Sequence, residues 1–207
     1  MQLHRRDVVS KATQLLDDYG IADLTMRRLA RELGVTPGAL YWHFADKQAL
    51  LGAVADRILD AAATPREGDR WSVRVQAICT GVRDALLSTT DGAELVSASF
   101  AAGKSDQMAG ILEQLTVATA EAGIARPNAE LAARTILYYV LGFTADEQSR
   151  IQWDAVGALS DGQSVMTTDP NARFSFGLRL LVDGIAAHRE APSGDHGVDP
   201  GLTVPAP

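Results

Sequence analysis

Cysteine is nearly missing from this chain: among 207 residues there is one, Cys79. A single thiol excludes an intrachain disulfide framework and a cysteine-rich zinc site. Long apolar runs are missing too. The longest, Ile136 to Phe143, falls far short of the roughly 20 residues of a membrane span and carries two tyrosines and a glycine. The opening Met-Gln-Leu-His-Arg-Arg-Asp has no apolar h-region, so secretion is not expected and the cytoplasm is the expected compartment. Catalytic signatures are also lacking: there is no G-x-S-x-G, H-E-x-x-H, P-loop or dinucleotide fingerprint. His4, His43, His188 and His196 are scattered, and none stands at metal-ligand spacing with Cys79. Neither an enzyme nor a metal or cofactor site is expected.

What is present suits a folded, water-exposed protein: 46% hydrophobic, 22% charged and 6% aromatic residues. A chain of this length buries roughly 70% of its unfolded surface. The formal charge is −7, but it is unevenly spread. Residues 1–50 hold seven basic and six acidic side chains, a balance of +1, which leaves −8 to the rest. A near-neutral head precedes an acidic body, the pattern of a head that meets a polyanion while the body is repelled by it.

The apolar residues recur at spacings of three and four, which predicts an all-α fold. Val8, Ala12, Leu15, Leu16 and Tyr19 form one face of a first helix ended by Gly20. Thr25 is the expected N-cap of a second, with Met26, Leu29, Ala30 and Leu33 inward and Gly34 as its stop. Thr36 and Pro37 open a short third helix to about Phe44, and Asp46 caps a fourth bearing Leu50, Ala53, Val54, Ile58 and Ala61. After a connector at 63–70, stripes run through Val75, Ile78, Cys79, Val82 and Leu86, and through Met108, Ile111, Leu112, Leu115 and Ala118. Asn128 is the expected cap of a long helix apolar on two faces, which must then be covered on both. Residues 157–171 read as a long loop, Pro170 as the first residue of a last helix, and 191–207 as a tail. The implied division is a head over 1–46, a connecting helix over 47–64, a larger domain over 65–190, and the tail.

The stretch from Thr25 to Phe44 carries the chemistry. Two short helices around a glycine turn form a helix-turn-helix unit, whose second helix enters the DNA major groove tip first. Here that tip is Thr36, Pro37, Gly38 and Ala39, small enough to let the backbone approach base edges. Leu40 and Phe44 anchor the helix, while Tyr41, His43 and Lys47 offer a phenol, an imidazole and an ammonium to phosphates. Thr25, Arg27 and Arg28 stand at the start of the preceding helix, where amides and cations favour a phosphate.

The run Leu40-Tyr41-Trp42-His43-Phe44, followed by Asp46-Lys47 and Ala49-Leu50-Leu51, is similar to the signature of the tetracycline-repressor (TetR) family of regulators. Trp71, Ala85-Leu86-Leu87, Asp91-Gly92-Ala93 and Phe176-Gly177-Leu178 resemble the regulatory domain of its tetracycline-repressor subgroup. The resemblance implies a homodimer with two DNA-reading heads, joined by a four-helix bundle of the helices near 128–150 and 171–189. It places Thr25, Arg27, Thr36, Gly38, Ala39, Tyr41, His43 and Lys47 at the double-stranded operator, with Arg28 and Trp42 beside them. Pro37 replaces the subgroup's base-reading glutamine, so a different operator sequence is expected.

For the effector, the resemblance points to Asp60, Ile78, Val82, Val96, Ser99, Gln114 and Asp146. Two pocket histidines of the subgroup are Asp60 and Val96 here, and its drug-binding asparagine and phenylalanine are Ile78 and Val82. A valine has no lone pair for magnesium, so an apolar or aromatic, metal-free ligand fits better than a metal–drug chelate. Phe100, Tyr138, Tyr139 and Phe143 either line that cavity or pack in the core or dimer interface. Asp146 with Glu147 is either an acid pair for a cation or a solvated helix end. The functional expectation is a ligand-released repressor on a pseudo-palindromic operator. An activator, or a DNA-binding regulator without a ligand, is the alternative.

Overall fold

The computed structural model describes residues 3–62, 68–159 and 169–188. Among these it shows nine α-helices, one 3-10 turn and no strand, as the apolar spacing requires. In order they are α1 (Arg5–Tyr19), α2 (Met26–Glu32), α3 (Pro37–Tyr41), α4 (Lys47–Leu59), α5 (Trp71–Leu87), α6 (Gly92–Ala101), α7 (Asp106–Glu121), α8 (Arg126–Ala155) and α9 (Pro170–Ala187). The centre of the predicted 157–171 loop, part of the connector and the whole tail lie outside the described residues.

Local chemistry sets the boundaries. Thr25 Oγ1 accepts from the Arg28 amide at 3.1 Å and Asp46 Oδ1 from the Ala49 amide at 2.7 Å. Ser105 and Asp169 cap α7 and α9 in the same way. Each such cap satisfies an amide that the helix itself leaves open, and contributes about 1 kcal/mol. Three expectations are corrected. α8 begins at Arg126, with Pro127 in its first turn, so Asn128 lies inside the helix rather than capping it. Proline's fixed φ and missing N–H suit that first turn and pull the start upstream. α3 ends at Tyr41, three residues before Phe44, because the chain turns there to bring Phe44 under the head. Tyr19 is exposed rather than inward, its ring covering the Arg28 guanidinium at 3.8 Å.

One core runs through the molecule. In the head Val8, Ala12, Leu16, Leu29, Leu40, Phe44 and Leu50 are buried together, and the cluster continues along α4 into α5, α6, α7 and α8. The α4 helix touches the body closely. A side chain on Gly52 would put its Cβ 2.0 Å from the Lys104 carbonyl oxygen. Asp56 accepts from Ser105 Oγ at 2.7 Å and from the Gln107 amide at 3.1 Å, at the start of α7. Head and body therefore meet along packed backbone, which transmits displacement poorly absorbed by side chains. No described helix is long and apolar enough to cross a membrane.

Candidate nucleic-acid interface and effector site

The α3 tip is displayed as its residue types require. Thr36, Pro37 and Gly38 are exposed, Ala39 is half-buried, and Leu40 behind them is fully buried. Burying Leu40 and Phe44 contributes roughly 1.5–3 kcal/mol each and fixes the short helix to the head, since five residues cannot hold a helix alone. Trp42, 90% exposed, is the least covered of the large apolar side chains among the described residues. Tyr41 is exposed beside it, and His43 and Lys47 are half-exposed. An indole and a phenol standing in water have no packing reason to be there. Rings with polar tips do suit a surface that meets another molecule.

The two neighbouring arginines part company. Arg27 is exposed. Arg28 is drawn back: it pairs with Asp23 and stacks under Tyr19, which leaves its buried Nε without a partner. Its cation is spent on the fold of the head, whereas that of Arg27 points outward. Thr25, exposed, keeps its hydroxyl on the Arg28 amide.

The residues expected around an effector do not converge on one cavity. Ile78, Val82 and Val96 are buried members of the continuous core. Ser99 lies with them in burial, and its Oγ finds no hydrogen-bond partner, a state that costs about 1–3 kcal/mol. Asp60 is at the exposed end of α4, where it accepts from Gln107 Nε2 at 2.9 Å. Gln114 is exposed on α7. Tyr139 stacks on Phe174 at a centroid distance of 5.6 Å, Phe143 meets the same ring edge-on at 5.4 Å, and Tyr139 Oη donates to the Phe174 carbonyl at 2.8 Å. These two are the glue between α8 and α9. Burial raises the Tyr139 phenol above its ordinary pKa.

Phe100 and Tyr138 do share a cleft, of about 410 Å³, with Arg134, Ser97, Leu141 and Gly142. The Arg134 guanidinium lies 5.7 Å from the Phe100 ring centre and pairs with Glu130. An adjoining cleft of about 520 Å³ between α6 and α8 is walled by Asp91, Glu94, Gln148 and Gln152 over a floor of alanines.

The acid pair resolves into two roles. Asp146 is exposed and bridges to Arg150 one turn on. Glu147 is buried and takes both Arg83 Nε and Nη2, at 2.8 and 2.6 Å, while Arg83 Nη1 reaches Asn171 Oδ1 at 2.9 Å. Arg83, Glu147 and Asn171 escape a sequence reading because the partners are more than 60 positions apart. Among the described residues no group of three or more His, Cys, Asp or Glu side chains is placed to hold a metal. Cys79 is buried, and burial pushes its thiol well above the ordinary range, leaving an inert group.

A helix-turn-helix head on a larger helical body is the arrangement of a one-chain DNA-binding regulator. Residues 8–54 match the bacterial regulatory proteins, tetR family, and residues 64–157 match the tetracyclin repressor-like C-terminal domain. The chain belongs to the TetR family of bacterial transcription regulators. It is 32% identical to the class C tetracycline repressor protein of Escherichia coli, over 91% of this chain and 93% of that one. It is 61% identical to BioQ of Mycobacterium smegmatis, covering 90% of this chain and 99% of that one with a TM-score of 0.85. A BioQ crystallised with its double-stranded DNA operator is 57% identical over 90% of this chain and 100% of that one, with a TM-score of 0.76.

Proposed function

We propose that this chain is a transcriptional repressor that binds a pseudo-palindromic operator as a homodimer and is released by a small apolar or aromatic effector. The observation that carries it is the α3 tip: Thr36, Pro37 and Gly38 bare to solvent, with exposed Arg27, Tyr41 and Trp42 around them and Leu40 locked behind. Thr36 to Ala39 with Arg27 face base edges. Thr25, Tyr41, His43 and Lys47 hold phosphates, and the Trp42 ring packs on the backbone. Arg28 acts by fixing the helix that carries Arg27. The operator-bound BioQ supports double-stranded DNA as the partner. The head, taken as residues 1–46, is joined to the body by α4, which ends at Leu59, so Ala61 lies past the helix expected over 47–64.

Two heads come from pairing through α8 and α9. Leu131, Tyr138 and Trp153 on α8 lie in one exposed stripe, and Phe176 and Leu180 on α9 lie in another. Gly142 and Ser149, small and exposed, fall within the first. Such a two-helix apolar face fits a second copy of itself in a four-helix bundle. The pair then sets its recognition helices about 34–36 Å apart, one DNA turn.

The effector reading rests on the Ser99 hydroxyl, buried and unpaired among apolar residues. A ligand opening the α6–α8 clefts past Phe100 and Tyr138 would meet it. The alternative, a regulator that responds to no ligand, is favoured by the tight burial of Ile78, Val82 and Val96. Enrichment of duplexes from a random pool, followed by a thermal-shift screen of aromatic compounds on the purified protein, tests both halves. Salt-sensitive, sequence-indifferent binding contradicts the repressor. A selective operator with no compound that shifts melting favours the alternative.

A further inference from the structure

The head is tied to the body by α4, and also at a second place. There the α1–α2 turn meets the α5–α6 turn. Ile21 N donates to Asp91 Oδ2 at 2.9 Å, and in return Thr90 N donates to Asp17 Oδ1 at 2.9 Å. Head and body thus each supply one carboxylate and one amide to the other.

Asp91 is unusual in backbone as well as in contact. Its φ of 53° is the one positive φ at a non-glycine residue among those described. It precedes α6 at the N-cap, yet its side chain caps nothing in α6. The left-handed conformation instead aims the carboxylate out of its own helix. Oδ2 takes the head amide, and Oδ1 takes Gln152 Nε2 from α8 at 2.7 Å. Gly20, with φ of 77°, leaves the room: a Cβ there would lie 2.7 Å from Asp91 Oδ2. Asp17 sits in the last turn of α1, where a negative charge opposes the helix dipole, so helix stability does not account for it.

The body side of this junction is firmly held. Gln148 Oε1 accepts from the Ala93 amide at 2.9 Å, and its Nε2 donates to the Leu86 and Thr89 carbonyls at 2.9 and 2.8 Å. Gly92 lies so close to the end of α5 that a Cβ would be 2.5 Å from the Leu86 carbonyl oxygen. Asp91 therefore reaches the head from a fixed platform.

We infer that Asp91 is a positioning residue for DNA reading: with Asp17 it forms a second fastening that sets the angle of the head on the body. The inference rests on the DNA-reading function proposed above. One covalent helix leaves a hinge; a second fastening off that axis removes it. A head free to turn presents α3 at the wrong separation and loses affinity with no change in any DNA contact.

The test uses the full chain, duplexes enriched from a random pool by the wild type, and two variants. Asp91→Gly removes the carboxylate while relaxing the left-handed backbone, so the backbone gain offsets the two hydrogen bonds lost. Asp91→Asn keeps that backbone and an acceptor for the Ile21 amide, and Gln152 can turn its amide to pair with it. The expected result for Asp91→Gly is about tenfold weaker operator binding and at least tenfold faster hydrogen exchange at the Ile21 amide, with the melting temperature unchanged or raised. Asp91→Asn is expected within about twofold of wild type in both. Wild-type operator binding that Asp91→Gly leaves intact overturns this inference alone, as does a melting temperature that falls with the affinity. A wild type that enriches no duplex overturns the DNA-reading function and the inference together.

Discussion

Arg83 on α5 and Glu147 on α8 form a two-point ion pair inside the body, their side chains 5% and 7% exposed. The Phe174 ring of α9 lies 5.0 Å from the guanidinium and Asn171 completes its hydrogen bonding. Three helices, the long α8 among them, are thereby fixed in register by one charge pair. Removing one partner strands the other in a dry interior, so Glu147→Ala is expected to cost about 3–5 kcal/mol. Arg83→Met with Glu147→Leu is expected to recover most of that. Urea unfolding at a fixed protein concentration measures both, and a cost below about 1 kcal/mol for the single change contradicts the buried pair.

Arg27 and Arg28 differ by one position and are expected to differ in kind. Arg27→Ala should lower operator affinity by about 1–3 kcal/mol while leaving the melting temperature within error. Arg28→Ala should lower the melting temperature first, because it removes the Asp23 pair and the Tyr19 stack. Band shifts with thermal melts on both variants separate the roles. Equal effects of the two on binding would contradict the division.

Gly52→Ala probes the close approach of α4 to the α6–α7 turn. Its Cβ has no room before the Lys104 carbonyl, so α4 must move outward and carry the head with it. Overpacking of this kind costs about 1–3 kcal/mol. Operator binding is expected to weaken beyond what the loss of stability explains, measured at a temperature where the variant is fully folded.

Cys79 gives a pH signature. Burial holds its folded pKa above the unfolded one, so below the unfolded value near 8.5 both states keep the proton and the thiol is neutral to stability. As pH rises past it the unfolded chain alone releases a proton, and stability falls by up to about 1.4 kcal/mol per pH unit. The Tyr139 phenol, also raised by burial, adds a loss of the same sign toward the upper end of the range from pH 8 to 9.5, and it is common to wild type and Cys79→Ala. Urea midpoints across that range should decline for wild type and decline less for Cys79→Ala. Parallel slopes would contradict the assignment.

How much of this could be read beforehand depends on range along the chain. Thr25, Asp46 and Pro37 act on amides within three or four positions, and their caps and breaks stand where the residue types put them. The α5 stripe of Val75, Ile78, Cys79, Val82 and Leu86 is buried throughout, because a 3.6 period needs only its own helix. Glu147 against Asp146 could not be told apart, since the difference is Arg83 from 64 positions away. Asp91-Gly92-Ala93 stands out by resemblance, but which amide the Asp91 carboxylate meets depends on how the head docks. Val96 and Ser99 could be placed by resemblance as pocket positions, while their close packing depends on α5 and α8 arriving at the same place.

Pairing through α8 and α9 underlies the two-headed account. Phe176→Glu with Leu180→Glu places two charges on the exposed stripe of α9 and should convert a dimer to a folded monomer. Sedimentation velocity is the check. A variant that sediments as wild type places the interface elsewhere.

Sequencing the duplexes that the purified chain retains from a randomised pool tests the central claim most directly. The account predicts an inverted repeat with half-site centres 10–10.5 base pairs apart, bound by two chains, its retention lost on changing Arg27. A pool left unenriched, or a single half-site held by one chain, would contradict it.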